Sequence, residues 1–292
     1  MIIQLMTLKQ RRRVQVGTNS CPTVIPYYGG KYGLSKQLVP LLQPHNRYIE
    51  VFFGGGSMFF RKNKAKYNVL NDLHNDLVNL YITLIDDYDE FYRYTKYLLK
   101  SRTLHDNFRK EIHDIQYIDI PDPKRAAKYY YVIKCAFNHT AFNALSKDAD
   151  WNVQMLHDLD ESRKRLDNTT IENMDFRKLF EKYPAEEGDM WYLDPPYVKA
   201  TERHDYYLHS FTRDDHTDLF DVCNQIHDNG GKFMVSYDNR DIIRKMYWKY
   251  YIKEIPIQYA GQLHNKDTKI ELVITNYKPE AIQKSLFDEE AS

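Results

Sequence analysis

The chain has 292 residues, 42% of them hydrophobic, enough to bury a full core in one large domain or two smaller ones. Its 41 Lys and Arg balance its 41 Asp and Glu, so no overall basic character points to a polyanion, and no apolar stretch approaches the roughly 20 residues that cross a bilayer. Cys21, Cys135 and Cys223 are far apart and without CxxC spacing, which speaks against a disulfide framework and a zinc site.

Met1 to Leu8 is too short for a signal peptide and has its basic cluster, Lys9 to Arg13, on the wrong side, so cytoplasmic residence is the expectation. Pro26-Tyr27-Tyr28-Gly29-Gly30-Lys31 reads as a glycine turn ahead of a helix at Leu34 to Leu42. A strand is expected over Tyr48 to Phe53, ending in Gly54-Gly55-Gly56, with a helix beginning near Ser57. Such a turn lets a ligand approach backbone at the carboxyl edge of a sheet, but the spacing is not GxGxxG and does not describe a pyrophosphate cradle. A strand at Asn68 to Leu70 leads to Asp72, placed where an acidic side chain accepts hydrogen bonds from ribose hydroxyls. A helix follows over Leu73 to Ile85, with Asp76 expected on its surface.

From about Asp86 to Arg165 the pattern is helical and rich in Lys, Arg and Tyr, and Pro121-Asp122-Pro123 is the expected internal turn or linker. Lys96, Lys100, Arg102, Arg109, Lys110, Lys124, Arg125, Lys128 and Lys134 make a local basic face on a neutral protein. Strands are then expected at Thr170 to Asn173, Met190 to Leu193, Lys232 to Tyr237, Tyr251 to Ile257 and Ile270 to Asn276, with helices at His216 to His227 and Ile242 to Tyr247. This alternation predicts a doubly wound, mostly parallel α/β sheet. Asp214 or Asp215, near His216 and Asp218, is expected to cap a helix and not to bind a metal.

Asp194-Pro195-Pro196-Tyr197, directly after the apolar run Met190 to Leu193, suits chemistry on an exocyclic amine. The Asp194 carboxylate and the Pro195 carbonyl can each accept a hydrogen bond from an NH2 group and so localise the nitrogen lone pair. Tyr197 offers a flat face to the ring that carries the amine.

Pro26 to Lys31, Glu50-Val51-Phe52-Phe53-Gly54-Gly55-Gly56 and Asp194-Pro195-Pro196-Tyr197, in this order and rough spacing, resemble the motifs of the Dam-type (D12 class, alpha group) DNA adenine-N6 methyltransferases over nearly the whole chain. The resemblance implies a Rossmann-like, S-adenosylmethionine-dependent methyltransferase fold of seven mostly parallel strands, the last antiparallel, formed by residues 1–85 and 166–280. It places a helical target-recognition domain at 86–165 and leaves a tail at 281–292. The cofactor residues it implies are Tyr27, Lys31, Glu50, Phe52, Gly54, Gly56, Asp72, Asp175 and Asp194, with Tyr27 against the adenosine or the sulfonium, Lys31 on the ligand's carboxylate, Asp72 on the ribose and Asp175 on the adenine amine. No metal is implied. Asp194, Pro195, Pro196 and Tyr197 are the implied catalytic residues, acting by in-line transfer to N6 of an adenine flipped out of double-stranded DNA, since an amine inside the duplex cannot reach a buried donor. A cytosine-N4 enzyme, or an inactive DNA-binding relative of the same fold, is the alternative, and Asp as the first residue of the quartet favours adenine.

Lys134, Asn138, His139, Asn143 and Lys147, with Trp151-Asn152-Val153, resemble the family's base-reading hairpin. After Phe142-Asn143, Ala144-Leu145-Ser146-Lys147 stands where GATC-reading members carry an arginine, so GATC is not implied. Gln283, Ser285, Leu286 and Phe287 resemble the peptide with which bacterial proteins dock on a sliding clamp. A bacterial or phage-encoded enzyme acting at the nucleoid, alone or beside a restriction endonuclease, is what the resemblance implies.

Overall fold

The computed structural model describes residues 21–27, 31–114, 120–141, 143–152, 154–157, 159–197, 211–257 and 269–280. Seven strands, β1 (Arg47–Glu50), β2 (Tyr67–Asn71), β3 (Thr170–Glu172), β4 (Asp189–Leu193), β5 (Lys232–Asp238), β6 (Tyr251–Ile257) and β7 (Lys269–Thr275), form one sheet in the order β3-β2-β1-β4-β5-β7-β6. β1 to β5 pair in parallel, and β7 runs antiparallel to both β5 and β6, as the family resemblance implied for the last strand. β4 is buried at every position, which a strand covered on both faces requires.

Alternation along the strands separates two cores. One face sends Tyr48, Leu70, Tyr192, Met234 and Val273 toward Leu34 and Leu38 of α1 (Tyr32–Leu38) and Leu77, Leu80 and Leu84 of α2 (Asn75–Asp86). The other sends Ile49, Val69, Trp191, Val235 and Leu272 against α8 (Phe176–Lys182), α9 (Arg213–Asp228) and α10 (Asp241–Met246). The motifs at the carboxyl ends of β1, β2 and β4 therefore converge on one edge of the sheet, where open α/β sheets bind ligands.

The interval between α2 and β3 folds as α3 (Tyr88–Thr95), α4 (Arg102–Asp114), α5 (Pro123–Cys135), α6 (Gln154–His157) and α7 (Leu159–Leu166). Phe91, Ala126, Ala127, Tyr130 and Ile133 of these helices share a core with α2, so the insertion is packed on the sheet's helical layer. Asp76, expected on the surface of α2, is instead buried and holds Arg125 at 2.5 and 3.0 Å. Arg125 also donates to the carbonyls of Ile112 (2.8 Å) and Glu111 (3.3 Å), which removes it from the expected basic face. The helical period of α2 alone carries no information about a cation 49 residues away. Pro121-Asp122-Pro123 is a pinned corner: Asp122 caps α5 by accepting from the Arg125 amide, and Asn79 bonds both the amide and the carbonyl of Asp122 at 2.7 and 2.9 Å.

Three further expectations change. β1 ends at Glu50, so Val51 to Phe53 already belong to the turn region. Residues 57–61 form successive turns and not a helix, closed by Phe60 N–H on the Gly56 carbonyl and Lys62 N–H on that of Met58. At α9 the N-cap is Thr212, with Asp215 as its reciprocal partner three residues in. No helix among the described residues is long and apolar enough to cross a membrane, and no group of His, Cys, Asp or Glu among them is arranged to hold a metal.

Candidate active site

The glycine turn after β1 is built by backbone that other residues resist. Gly54 (φ +49°) and Gly56 (φ +67°) are left-handed, and a Cβ on Gly56 would lie 2.5 Å from the Phe53 ring. Tyr27 lies on the same turn, its ring 3.1 Å from where a Gly54 Cβ would stand. Asp72 joins it from the end of β2, with Oδ2 accepting from Gly54 N–H at 2.8 Å and Oδ1 from His74 N–H at 2.9 Å. Asn71 stitches the neighbouring ends together: its amide donates to the carbonyls of Val51 and Met174, each at 2.9 Å, and accepts from Met174 N–H at 3.1 Å. Glu50 lies beneath, fully buried, with Oε2 receiving the Tyr48 hydroxyl at 2.8 Å and Phe59 N–H at 3.2 Å. Burial pushes its carboxyl up to about 8, against the lowering influence of Tyr48 and the Lys62 ammonium.

Four elements bring a charged cluster together on the Tyr48 face of the sheet. Lys31, just ahead of α1, places its ammonium 2.8 Å from Asp194 Oδ1 and 3.3 Å from Glu271 Oε1, and it also bonds the Tyr197 hydroxyl. That hydroxyl in turn donates to Glu271. Ser236 of β5 donates to Asp194 Oδ1 at 2.9 Å and meets the Tyr192 hydroxyl at 3.0 Å. Lys31 and Ser236 thus meet the same oxygen of Asp194, which fixes the rotation of the carboxylate. Burial raises the Tyr197 hydroxyl well above its ordinary range, and the Asp194 and Glu271 charges push the same way, so it stays a donor.

A part-buried aromatic cluster lies on the other side of β1. Phe52, Phe176 and Phe211 stand 5.8 to 5.9 Å apart, centroid to centroid. Asp175 borders it, capping α8 through Arg177 N–H at 2.9 Å and pairing with the Arg177 guanidinium at 3.1 Å. Arg177 also reaches Asp215 and Asp218, which gives those carboxylates a structural partner.

Of the expected base-reading residues, Lys134 lies in the last turn of α5, Asn138, His139 and Asn143 on the hairpin-like loop that follows, and Lys147 just beyond it. Ala136 and Leu145 form an isolated bridge, and Phe137 N–H bonds the Ala144 carbonyl at 2.9 Å. Asn138 and His139, in a short 3-10 turn just after the bridge, are exposed and left-handed, with φ of 54° and 53°. Lys147 is exposed and Lys134 half-buried, its ammonium 5.6 Å from the centre of the Tyr130 ring. Asn143 donates its amide to the Phe137 carbonyl at 2.7 Å, so it holds the loop shut. Trp151 is packed against Tyr130 and Tyr131 with its indole N–H on the Leu98 carbonyl at 2.8 Å, and so faces the protein core. Lys9 to Arg13, Tyr28 to Gly30, Phe142, Val153 and the tail with Gln283, Ser285, Leu286 and Phe287 lie outside the described residues.

Ser236, Glu271 and Phe211 were not anticipated from the sequence. Glu271 left a readable signal, one carboxylate inside the apolar run Ile270-Glu271-Leu272-Val273-Ile274. Ser236 left a fainter one between Val235 and Tyr237, and Phe211 left none.

A seven-stranded sheet in this order, with β7 reversed and the glycine turn and Asp194 at adjacent strand ends, defines the Rossmann-like methyltransferase fold. The chain belongs to the D12 class N6 adenine-specific DNA methyltransferases, whose family model matches residues 27–260. It is 27% identical to the type II methyltransferase M1.LlaDCHI of Lactococcus lactis subsp. cremoris, over 85% of this chain and 93% of that one. It is 22% identical to the DNA adenine methylase of Escherichia coli K12, over 87% and 95% of the two chains. The DNA N-6-adenine-methyltransferase of Escherichia phage P1 is 25% identical over 82% of this chain, which spans about a third (32%) of that longer protein. The chain is accordingly an adenine-specific DNA methyltransferase.

Proposed function

We propose that this enzyme transfers a methyl group from S-adenosylmethionine to N6 of an adenine turned out of double-stranded DNA. The observation that carries the reading is the Asp194 carboxylate at the end of β4, held on one oxygen by Lys31 and Ser236 and followed by Pro195, Pro196 and Tyr197.

The residues fit the donor. Asp72 offers carboxylate oxygens anchored beside the glycine turn for ribose hydroxyls, and the Phe52, Phe176 and Phe211 cluster with Asp175 suits an adenine ring and its amine. S-adenosylmethionine, when bound, supplies an electrophilic methyl group on a sulfonium, so no covalent enzyme intermediate is needed. Asp194 accepts a hydrogen bond from the target amine and takes up charge as the nitrogen becomes tetrahedral. The Pro195 carbonyl accepts a hydrogen bond from the second amine N–H, and the Tyr197 ring, tethered by its hydroxyl, supports the flipped base. The pairing of Lys31 with a ligand carboxylate, expected from the sequence, would require it to leave Asp194 and Glu271. The geometry favours Lys31 as the brace of Asp194.

Helices α3 to α7 and the loop at 136–145 form the side that reads the duplex in this proposal. Lys134, Asn138, His139 and Lys147 are the candidates for phosphate and base-edge contacts, with Asn143 holding the loop in shape. The tail peptide around Leu286 and Phe287 remains proposed, from its sequence, as a sliding-clamp anchor.

The test incubates the purified protein with labelled S-adenosylmethionine and unmethylated genomic DNA and maps modified bases by single-molecule sequencing. N6-methyladenine in one sequence context is the expected outcome. N4-methylcytosine, or no modification despite donor binding, would overturn the reading.

A further inference from the structure

Glu271 is a carboxylate inside an apolar strand, and it is nearly fully buried. A buried carboxylate is costly unless hydrogen-bonded and paired. This one meets the Lys31 ammonium at 3.3 Å and the Tyr197 hydroxyl, two groups from elements remote in sequence. Lys31 continues to Asp194 at 2.8 Å, and Lys31 and Tyr197 are themselves bonded. One residue of the reversed strand therefore touches two of the groups that border the carboxylate expected to hold the amine.

We infer that Glu271 is a positioning residue for methyl transfer: it fixes the Lys31 ammonium and the Tyr197 ring in register, and through Lys31 sets the rotation of the Asp194 carboxylate. The inference rests on the methyltransferase reading of the site.

Charge supports it. Burial raises the Glu271 carboxyl to about 7, with Lys31 and Tyr197 pulling it down and Asp194 pushing it up. The groups facing it are Lys31 ahead of α1, Asp194 and Tyr197 after β4, and Asp238 directly opposite on β5, itself paired with Arg240 at 2.8 Å; Ile255 lies opposite on β6. As pH falls through about 7, Glu271 takes up a proton and its hold on Lys31 weakens, so turnover rises with pH across this range. The same raised value means that ionised Glu271 costs stability above that pH, the reverse of a carboxylate kept for the fold.

The full chain is compared with Glu271→Gln, Tyr197→Phe and the double variant, reading S-adenosylmethionine affinity by calorimetry, adenine methylation of genomic DNA across the neutral pH range, and thermal unfolding. Glu271→Gln is expected to lose roughly 10- to 100-fold in turnover by misplacing the reacting groups. It should also lose the rise of activity with pH, keep its donor affinity, and unfold no earlier than the parent at mildly alkaline pH. The double variant should lose no more than the worse single variant, because both substitutions cut one link. Wild-type turnover and pH profile in Glu271→Gln, or multiplied losses in the double variant, would overturn the inference. So would a Glu271→Gln protein that unfolds early and loses activity in proportion while Tyr197→Phe remains active. If the parent protein methylates no adenine, the reading of the reaction fails, and the link is judged by unfolding alone: additive shifts in Tm in the double variant would refute it.

Discussion

The pocket around Asp194 and the loop at 136–145 solve opposite problems. In the pocket, side chains are held by other side chains: Asp194 by Lys31 and Ser236, Tyr197 by Lys31 and Glu271, drawn from β5, β7, the segment after β4 and the residue ahead of α1. At the loop, the backbone does most of the holding, through the Ala136–Leu145 bridge and Phe137 N–H on the Ala144 carbonyl, with the Asn143 side-chain amide added on the Phe137 carbonyl, and Asn138 and His139 are left exposed in a left-handed conformation. In the proposed function the pocket orients one amine and is served by fixed charges, because small misplacements are expensive in rate. The loop, proposed to meet the duplex, is served by a fixed shape with open side chains.

Loss of the Asp194 carboxylate is the severest change the pocket can suffer. Asp194→Ala should lower turnover by roughly a hundred- to a thousand-fold or more while donor binding, measured by calorimetry, changes little; substantial residual methylation would mean that the pocket does not orient the amine through this carboxylate. Arg125→Met tests whether the loop depends on its anchorage, since α5 leads straight into it. Removing one partner of the buried Asp76–Arg125 pair should cost about 3–5 kcal/mol in urea unfolding.

Glu50 sharpens the pocket side. Its carboxyl is raised to about 8 by burial, so the stability it contributes is fully present below its ordinary value and is lost as pH rises toward 8. Glu50→Gln should therefore flatten the decline of Tm between mildly acidic and mildly alkaline pH; an unchanged decline would assign it to other groups. The smallest effect belongs to the exposed turn of the loop. Asn138→Gly keeps the left-handed backbone and deletes only the side chain, so DNA affinity should fall by about 1–3 kcal/mol if it reads a base edge, with Tm unchanged. Equal affinity for DNA in a binding titration would remove Asn138 from the interface.

Much of this architecture was legible in order. β6 was placed to the residue and the other strands to within a few, because two-sided burial writes continuous apolar runs into β4, β5 and β7. Asp72 was found at a strand end because it follows Asn71 directly. Asp76 and Arg125 were misread because each looks like an ordinary surface charge in its own helix, and only the packing of α5 on α2 buries both. Helix α8, seven residues long, was not read, although its Asp175 cap was in view.

The sequence by itself determined the alternation that makes the sheet, the glycines that the turn after β1 requires, and the order of chemical groups at Asp194 to Tyr197, since all of these are local properties of neighbouring residues. Only the tertiary structure decided that Glu271 and Ser236, more than 40 positions beyond Asp194, share its surroundings, that Lys31 braces a carboxylate, and that Trp151 faces the core. Those are contacts between elements, fixed by strand order and helix packing. A pattern confined to neighbouring residues carries no record of them.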